Sequence, residues 1–496
     1  MKVLSALLLL IGFTHLQAQE KQFINIINSD ITERFEEKNS EYYKLKGNIQ
    51  LEHDGMILFC DSAYLFETEN KFEAFGTVKL NKDDSVSLES DSLFYNGNSK
   101  LSHAQGNVLL KHDSILLISN SLYYDMQNAL AYYNNQGIIY NRADTLSSLS
   151  ASYYMDEKRV NFQDQVSVRN TDYQVDSENM TYMTTALELH FSEYTHLQND
   201  SLDLFFNKGY YNRRTEIAHC RGNVKAIKTP HRLVADSLYL DKPNNRIEAF
   251  DNVIIVDSVQ KLEISGHKAI INKTDFTGEI TESPIAKQYQ DLDTFYLKAK
   301  RLYTFKEANY WNLHAYNDVK FYKKDIQGVA KILKYNQQIG YIELFHEPVL
   351  WSDESQISAD SIRISMTNNE IDSLFLDHNV FIIQEVDSSA NYYSQIKGRH
   401  LRGKFNASVL EKINIRGNAE SKYYVINKKE EAEGLNFIQC SGINMTMGKG
   451  KIDKVDFLQQ PNGEYIPIQD LTNNEKFLKN FKWIPKLRPI KNEFIQ

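Results

Sequence analysis

The chain has 496 residues and a formal net charge of −9, one unit more negative once Lys2 departs with its leader, so it lacks the basic surface that a nucleic-acid partner requires. Cys60, Cys220 and Cys440 are too few and too far apart for a disulfide framework and are expected as buried free thiols.

A lone charge at Lys2, an apolar run from Val3 to Phe13 and small or polar residues ending Leu16-Gln17-Ala18-Gln19 predict a secretory signal peptide over residues 1–19. The run is too short to span a bilayer, no later stretch approaches about 20 apolar residues, and no cysteine stands at the cleavage region to carry a lipid. Residues 20–42 are expected as an N-terminal cap segment in which Phe23 to Asn28 adds a first strand.

Over residues 43–460 a repeat of about 30 residues recurs about 12 times. Its first column reads Gly47-Asn48-Ile49, Gly76-Thr77-Val78, Gly106-Asn107-Val108, Gly137-Ile138-Ile139, Asp164-Gln165-Val166, Gly222-Asn223-Val224 and Asp251-Asn252-Val253. It continues through Ser283-Pro284-Ile285, Asn317-Asp318-Val319, Glu347-Pro348-Val349, His378-Asn379-Val380 and Gly417-Asn418-Ala419. A second column, half a period later, carries Asp61, Asp91, Asp176, Asp236 and Asp360, each followed by Ser, with Tyr64, Tyr95, Tyr123, Tyr124 and Tyr239 close behind. The register loosens around Thr195 and after Lys397, where the units lengthen and carry the polar insertion Lys428-Lys429-Glu430-Glu431.

Within one unit, Asn107 to Lys111 alternates, His112-Asp113-Ser114 turns, and Ile115 to Asp125 alternates again, which predicts two strands per repeat and almost no helix. After the Gly-Asn column the pairs Ile49/Leu51, Val78/Leu80, Val108/Leu110, Val253/Ile255, Val319/Phe321 and Val349/Trp351 point one way and form an apolar stripe. On the Asp-Ser strand Leu58, Cys60, Ser62 and Tyr64 are taken as inward against Phe59, Asp61, Ala63 and Leu65, because a buried repeated Asp would need repeated partners. Small inward candidates such as Ser90, Ser119 and Ala235 favour a cavity over a filled interior.

Residues 461–496 form a tail in which Thr472 and Glu475 are placed as a capping box for a short helix through Phe481. Its basic, aromatic run from Lys482 to Pro489 reads as a solvated tail or end cap, or as a docking element.

No catalytic residue, metal site or cofactor is expected. Recurrence of the Asp column marks a structural role, and His103/His112 and His190/His196 lack ligand-like spacing. Glu193, Asp200, Asp203, Asp291 and Asp293 lie off the register and are the carboxylates a polysaccharide-cleaving enzyme would have to use.

With Ala104-Gln105-Gly106-Asn107-Val108 and Ala235-Asp236-Ser237-Leu238-Tyr239 as the closest wording, the repeat resembles the OstA-like, LptA-type family of periplasmic lipopolysaccharide-transport proteins, a fold also found as the N-terminal domain of the outer-membrane translocon. Membership implies an all-β, elongated repeat β-jellyroll, V-shaped and solenoid-like, whose apolar groove holds acyl chains of lipopolysaccharide. It implies partners too: lipopolysaccharide or lipid A, homologous β-jellyroll domains or a second copy joined end to end by strand stacking, and the outer-membrane translocon. The compartment it implies is the periplasm, with association at the outer membrane. The chain is several times longer than a minimal periplasmic bridge protein and lacks the barrel that follows in the translocon. The groove-lining residues expected on this reading are Ile49, Leu51, Val78, Leu80, Val108, Leu110, Val224, Val253, Ile255, Val319 and Phe321. A β-helical polysaccharide-active enzyme and a structural rod or adhesin without ligand are the alternatives.

Overall fold

The computed structural model describes residues 23–37, 40–83, 85–289, 293–367, 370–406, 409–427, 431–448 and 451–495. The expected signal peptide, Asp291 and most of the insertion at Lys428 lie outside the described residues. Among those described, the chain is all-β, with 38 antiparallel strands and only short 3-10 turns beside them. It divides into two compact units, Met1–Thr195 and His196–Gln496, at the stretch where the repeat register loosens.

The first unit begins with β1 (Asn25–Asn28), β2 (Ile31–Glu37), β3 (Ser40–His53), β4 (Met56–Phe66), β5 (Lys71–Lys82), β6 (Val86–Asn96), β7 (Leu101–His112) and β8 (Ile115–Asp125). From β3 onward each strand pairs with the next, while β1 and β2 divide β3 between them. Every long strand breaks register at the Gly-Asn column, for example between Gln105 and Val108. There two successive residues take positive φ: 71° and 39° at Gly76 and Thr77, 77° and 45° at Gly106 and Asn107. This two-residue bulge bends the strand into a second wall. At Gly106 the first position takes glycine because a Cβ there would sit 2.3 Å from Asp91 Oδ2, whereas Asp251, Asn317 and His378 hold the same position in other copies at φ of 57°, 61° and 62°.

The Asp column is explained by the same corner. Asn107 Nδ2 donates to Asp91 Oδ2 at 2.9 Å, and the pair recurs as Asn48–Asp30, Thr77–Asp61, Asn252–Asp236 and Asn379–Asp360 at 2.7 to 3.1 Å. Each carboxylate thus ties one strand to the bulge of a neighbour, exposed to water rather than buried. The corner also corrects the expected facing of the Asp-Ser strand. Leu58 and Cys60 point inward, but Asp61 and Ser62 both lie on the outside of the bend, so Ala63 and Leu65, not Ser62 and Tyr64, continue the core. Tyr64 instead joins an outer ladder of rings, Phe35, Tyr42, Tyr64, Phe75, Phe94, His103, Tyr123 and Tyr132, with successive centroids 4.1 to 6.4 Å apart.

The second unit repeats the pattern through Ile217–Lys228, His231–Asp241, Arg246–Asp257 and Leu262–Asn272. Farther on, a core that includes Leu297, Val319, Phe321, Leu344, Leu350 and Ile415 fills the interior. Two copies shift by one residue. The positive-φ pairs are Glu282-Ser283 and His346-Glu347, immediately before Pro284 and Pro348, because proline's fixed negative φ cannot enter the bulge. Ala286 and Leu350 therefore face the core, while Ile285, Val349 and Trp351 face outward, contrary to the expected Val349/Trp351 stripe.

That outer face is covered by the chain's own C-terminal segment. Thr472 and Glu475 form the capping box, Thr472 N–H and Oγ1 lying 3.0 and 2.6 Å from Glu475 Oε2, but the element is a single 3-10 turn, Asn473–Glu475, rather than a longer helix. The segment then crosses the sheet, held by buried glutamine side chains that present an amide edge as a strand would. Gln395 donates to Lys476 O at 2.8 Å and accepts from Leu478 N at 2.8 Å; Gln356 donates to Lys482 O at 2.7 Å and accepts from Ile484 N at 2.9 Å. Arg488 bonds Gln327 Oε1 at 2.8 Å, and Phe494 ends the path against Ile285, Tyr296 and Tyr322.

Candidate functional site

The expected groove residues are placed on the inner face of both units. In the first, Ile49, Leu51, Val78, Leu80, Val108 and Leu110 are at most 2% exposed; in the second, Val224, Val253, Val319 and Phe321 are at most 3% exposed and Ile255 is half-buried. Their positions follow from the bulge, which starts each second half-strand with an inward residue.

How the interior meets solvent differs between the units. In the first, the rims of the two walls are joined by hydrogen bonds between residues 41 or 42 apart: His53 Nδ1 with Tyr95 Oη at 2.8 Å, His112 Nδ1 with Tyr153 Oη at 2.7 Å, and Asn141 Nδ2 to Tyr182 Oη at 2.8 Å. Each tyrosine is the penultimate residue of its strand, β6, Ser150–Tyr154 or Gln174–Met183, and each partner closes β3, β7 or Gly137–Asn141. Ion pairs Lys100–Asp54 and Lys158–Asp113 reinforce the seam outside. Burial raises the pKa of the Tyr95 and Tyr153 hydroxyls and, with the Lys158 charge, lowers that of the His112 ring, so the His112–Tyr153 bond joins two neutral groups.

In the second unit the four strands from Ile217 to Asn272 have the same corner but no such seam. The corner residues Val224, Ala235, Leu238, Ala249, Val253 and Ala269 are buried, whereas Ala226, Leu240, Ile247, Ile255, Leu262, Ile264 and Ile271, one step toward the rim, are only half-buried. Register aligns them into two apolar rows: Leu240, Ile247 and Ile271 on one wall, Ile255 and Ile264 on the other. The penultimate positions that hold tyrosine in the first unit hold Leu240 and Ile271 here. The tyrosine column signals the seam in the sequence, but alternation alone does not separate the inward tyrosines from the outward ones, because the corner at Asp61-Ser62 changes the facing.

The remaining candidates are tied up locally. Asp203 lies 3.0 Å from His196 and His190 lies 3.2 Å from Glu188, while Asp293 accepts from Thr294 N–H and Lys324 N–H at 2.8 and 3.1 Å. Glu193 and Asp200 are exposed. Among the described residues no three His, Cys, Asp or Glu side chains are grouped as metal ligands. All three cysteines are free, and burial pushes the Cys60 and Cys220 thiols up to about 12, the repulsion of Asp61 adding at Cys60.

Fold and interior define an antiparallel β-repeat protein with an apolar inner face, closed by a polar seam in one unit and unsealed over four strands of the other. The chain carries an OstA-like protein domain over residues 21–178 and an LptA/(LptD N-terminal domain) LPS transport protein domain over residues 207–370. No curated protein matches it. Among solved structures it is similar to LptH, described as the LptA homologous periplasmic component of the conserved lipopolysaccharide transport device from Pseudomonas aeruginosa, at 16% identity and a TM-score of 0.20, over 21% of this chain and 79% of that one.

Proposed function

We propose that this is an exported periplasmic protein that binds lipopolysaccharide and conveys its acyl chains along an apolar interior toward the outer membrane, without catalysing a reaction. The observation that carries the proposal is the half-buried apolar double row of Ile217 to Asn272, inside a domain whose family model is named for LPS transport. Burial of one acyl methylene contributes about 0.8 kcal/mol, so a few rungs hold a chain firmly, and repetition of nearly equal rungs lets it slide. The acyl contacts are Val224, Val253 and Ile255 in the second unit, with Val319 and Phe321 beyond them where the packed core must part, and Ile49, Leu51, Val78, Leu80, Val108 and Leu110 in the first, where the seam must open before a chain can enter.

On this reading residues 1–19 are the leader, 20–42 the cap, 43–460 the lipid-bearing repeat and 461–496 the tail. The first rung, with Phe23, Ile27 and Ile31 exposed, offers an edge for a homologous β-jellyroll domain, a second copy or the outer-membrane translocon.

Native mass spectrometry of the mature protein purified gently from its own envelope tests the reading. Retained lipopolysaccharide that is lost in Val253→Asp is expected. A protein that carries no lipid and takes up none when lipopolysaccharide is added would contradict it.

A further inference from the structure

The unsealed stretch of the second unit carries an unpaired charge at its rim. Lys228 is the last residue of Ile217–Lys228, the position that His53 and His112 hold on their strands. Forty-three residues on, Ile271 occupies the penultimate position that Tyr95 and Tyr153 hold, so the hydrogen bond of the seam has no counterpart here. Beside Ile271, Lys273 opens the next turn, its backbone N–H bonded to Asn245 O at 2.9 Å on one rim, while the turn after Lys228 is bonded on the other, Ser258 N–H to Pro230 O at 3.2 Å. The two lysines therefore stand on opposite rims of the half-buried rows of Ile247, Ile255, Ile264 and Ile271.

The nearby carboxylates are already engaged. Asp257 pairs with His231 at 3.2 Å, Glu216 pairs with Lys242, Asp241 accepts from Asn244, and Asp275 accepts from Asn272 at 3.0 Å. Among the described residues neither Lys228 nor Lys273 has an ion-pair partner. Partial shielding from water of the otherwise exposed Lys273 first, and the Lys228 charge second, hold its ammonium below the usual lysine value.

We propose that Lys228 and Lys273 together bind the phosphate-bearing headgroup of an amphiphile whose acyl chains lie between the apolar rows beneath them. The assignment rests on the transport reading above and adds the chemistry of the headgroup and the place where it sits. One phosphate between two ammonium groups relieves their repulsion and accepts a charge-assisted hydrogen bond from each. An uncharged headgroup would leave both lysines as they are.

The test uses the full mature chain and two lipids with the same acyl chains, phosphorylated lipid A and its dephosphorylated form, against Lys228→Gln/Lys273→Gln. Both lysines are exposed, and thermal unfolding of the variant checks that the fold is kept. Loss of two charged hydrogen bonds is expected to weaken binding of the phosphorylated lipid at least about tenfold and to leave the dephosphorylated lipid within about twofold. Inorganic phosphate alone is expected not to displace the lipid; if it does, the pair is a free-phosphate site and the headgroup assignment falls. Equal binding of the phosphorylated lipid by wild type and variant overturns the headgroup site but leaves the transport reading standing. A wild-type protein that binds neither lipid overturns both.

Discussion

His112 Nδ1 and Tyr153 Oη lie 2.7 Å apart, joining the end of β7 to a strand 41 residues on and closing the interior of the first unit. Both groups are buried, so removal of one leaves the other without a partner. Tyr153→Phe is expected to cost about 1–3 kcal/mol in urea-induced unfolding. A change within experimental error would mean that the seam contributes nothing.

The same pair sets a pH dependence. The His112 pKa is lowered by burial first and Lys158 second, against Asp113 and Asp156. The unfolded ring takes its proton near about pH 6.5, so this stabilisation is complete above that value and is lost as pH falls toward the lower folded value. His103, His219 and His314, lowered chiefly by burial, act with the same sign. The urea midpoint should fall between about pH 7.5 and about pH 5.5, and fall less in His112→Asn. A midpoint that rises on acidification would contradict this.

At the bulge, Gly106→Ala combines a φ of 77° with a Cβ placed 2.3 Å from Asp91 Oδ2. A cost of about 1–3 kcal/mol is expected. Because part of it is steric, it should shrink when measured in an Asp91→Ala background; an unchanged cost would assign it wholly to backbone strain.

The C-terminal segment depends on its glutamine clamps. Gln395→Leu leaves the carbonyl of Lys476 and the N–H of Leu478 without their partner at a site where Gln395 is 0% exposed. Loss of about 2 kcal/mol or more in local stability is expected, read as faster tryptic cleavage at Lys479 and Lys482. Cleavage at the wild-type rate would show that the clamp is dispensable.

Much of the fold was legible because the period of two and the Gly-Asn column are local signals: the all-β class and the inward stripe at Val78/Leu80 or Val108/Leu110 follow from a single unit. The facing of Tyr64 was not, since the corner at Asp61-Ser62 consumes an extra outer residue that alternation alone does not reveal. Nor was the one-residue shift at Pro284 and Pro348, where reading down the column placed proline inside a bulge its φ forbids. The seam is not a local signal, because His112 and Tyr153 are 41 residues apart, more than one repeat, and its absence at Lys228 and Ile271 is a property of the paired rims. The role of the basic tail depended on its glutamine partners, the nearest of which in sequence, Gln395, lies 81 residues from Lys476.

The central claim is that the inner face carries lipid and the outer face does not. Site-specific photo-crosslinking in cells, with the probe at Ile255 or Val253 against Lys225 or Lys79, tests it most directly. Capture of lipopolysaccharide from the two inner positions and none from the two outer ones is predicted; equal capture from both faces, or from neither, would contradict the account.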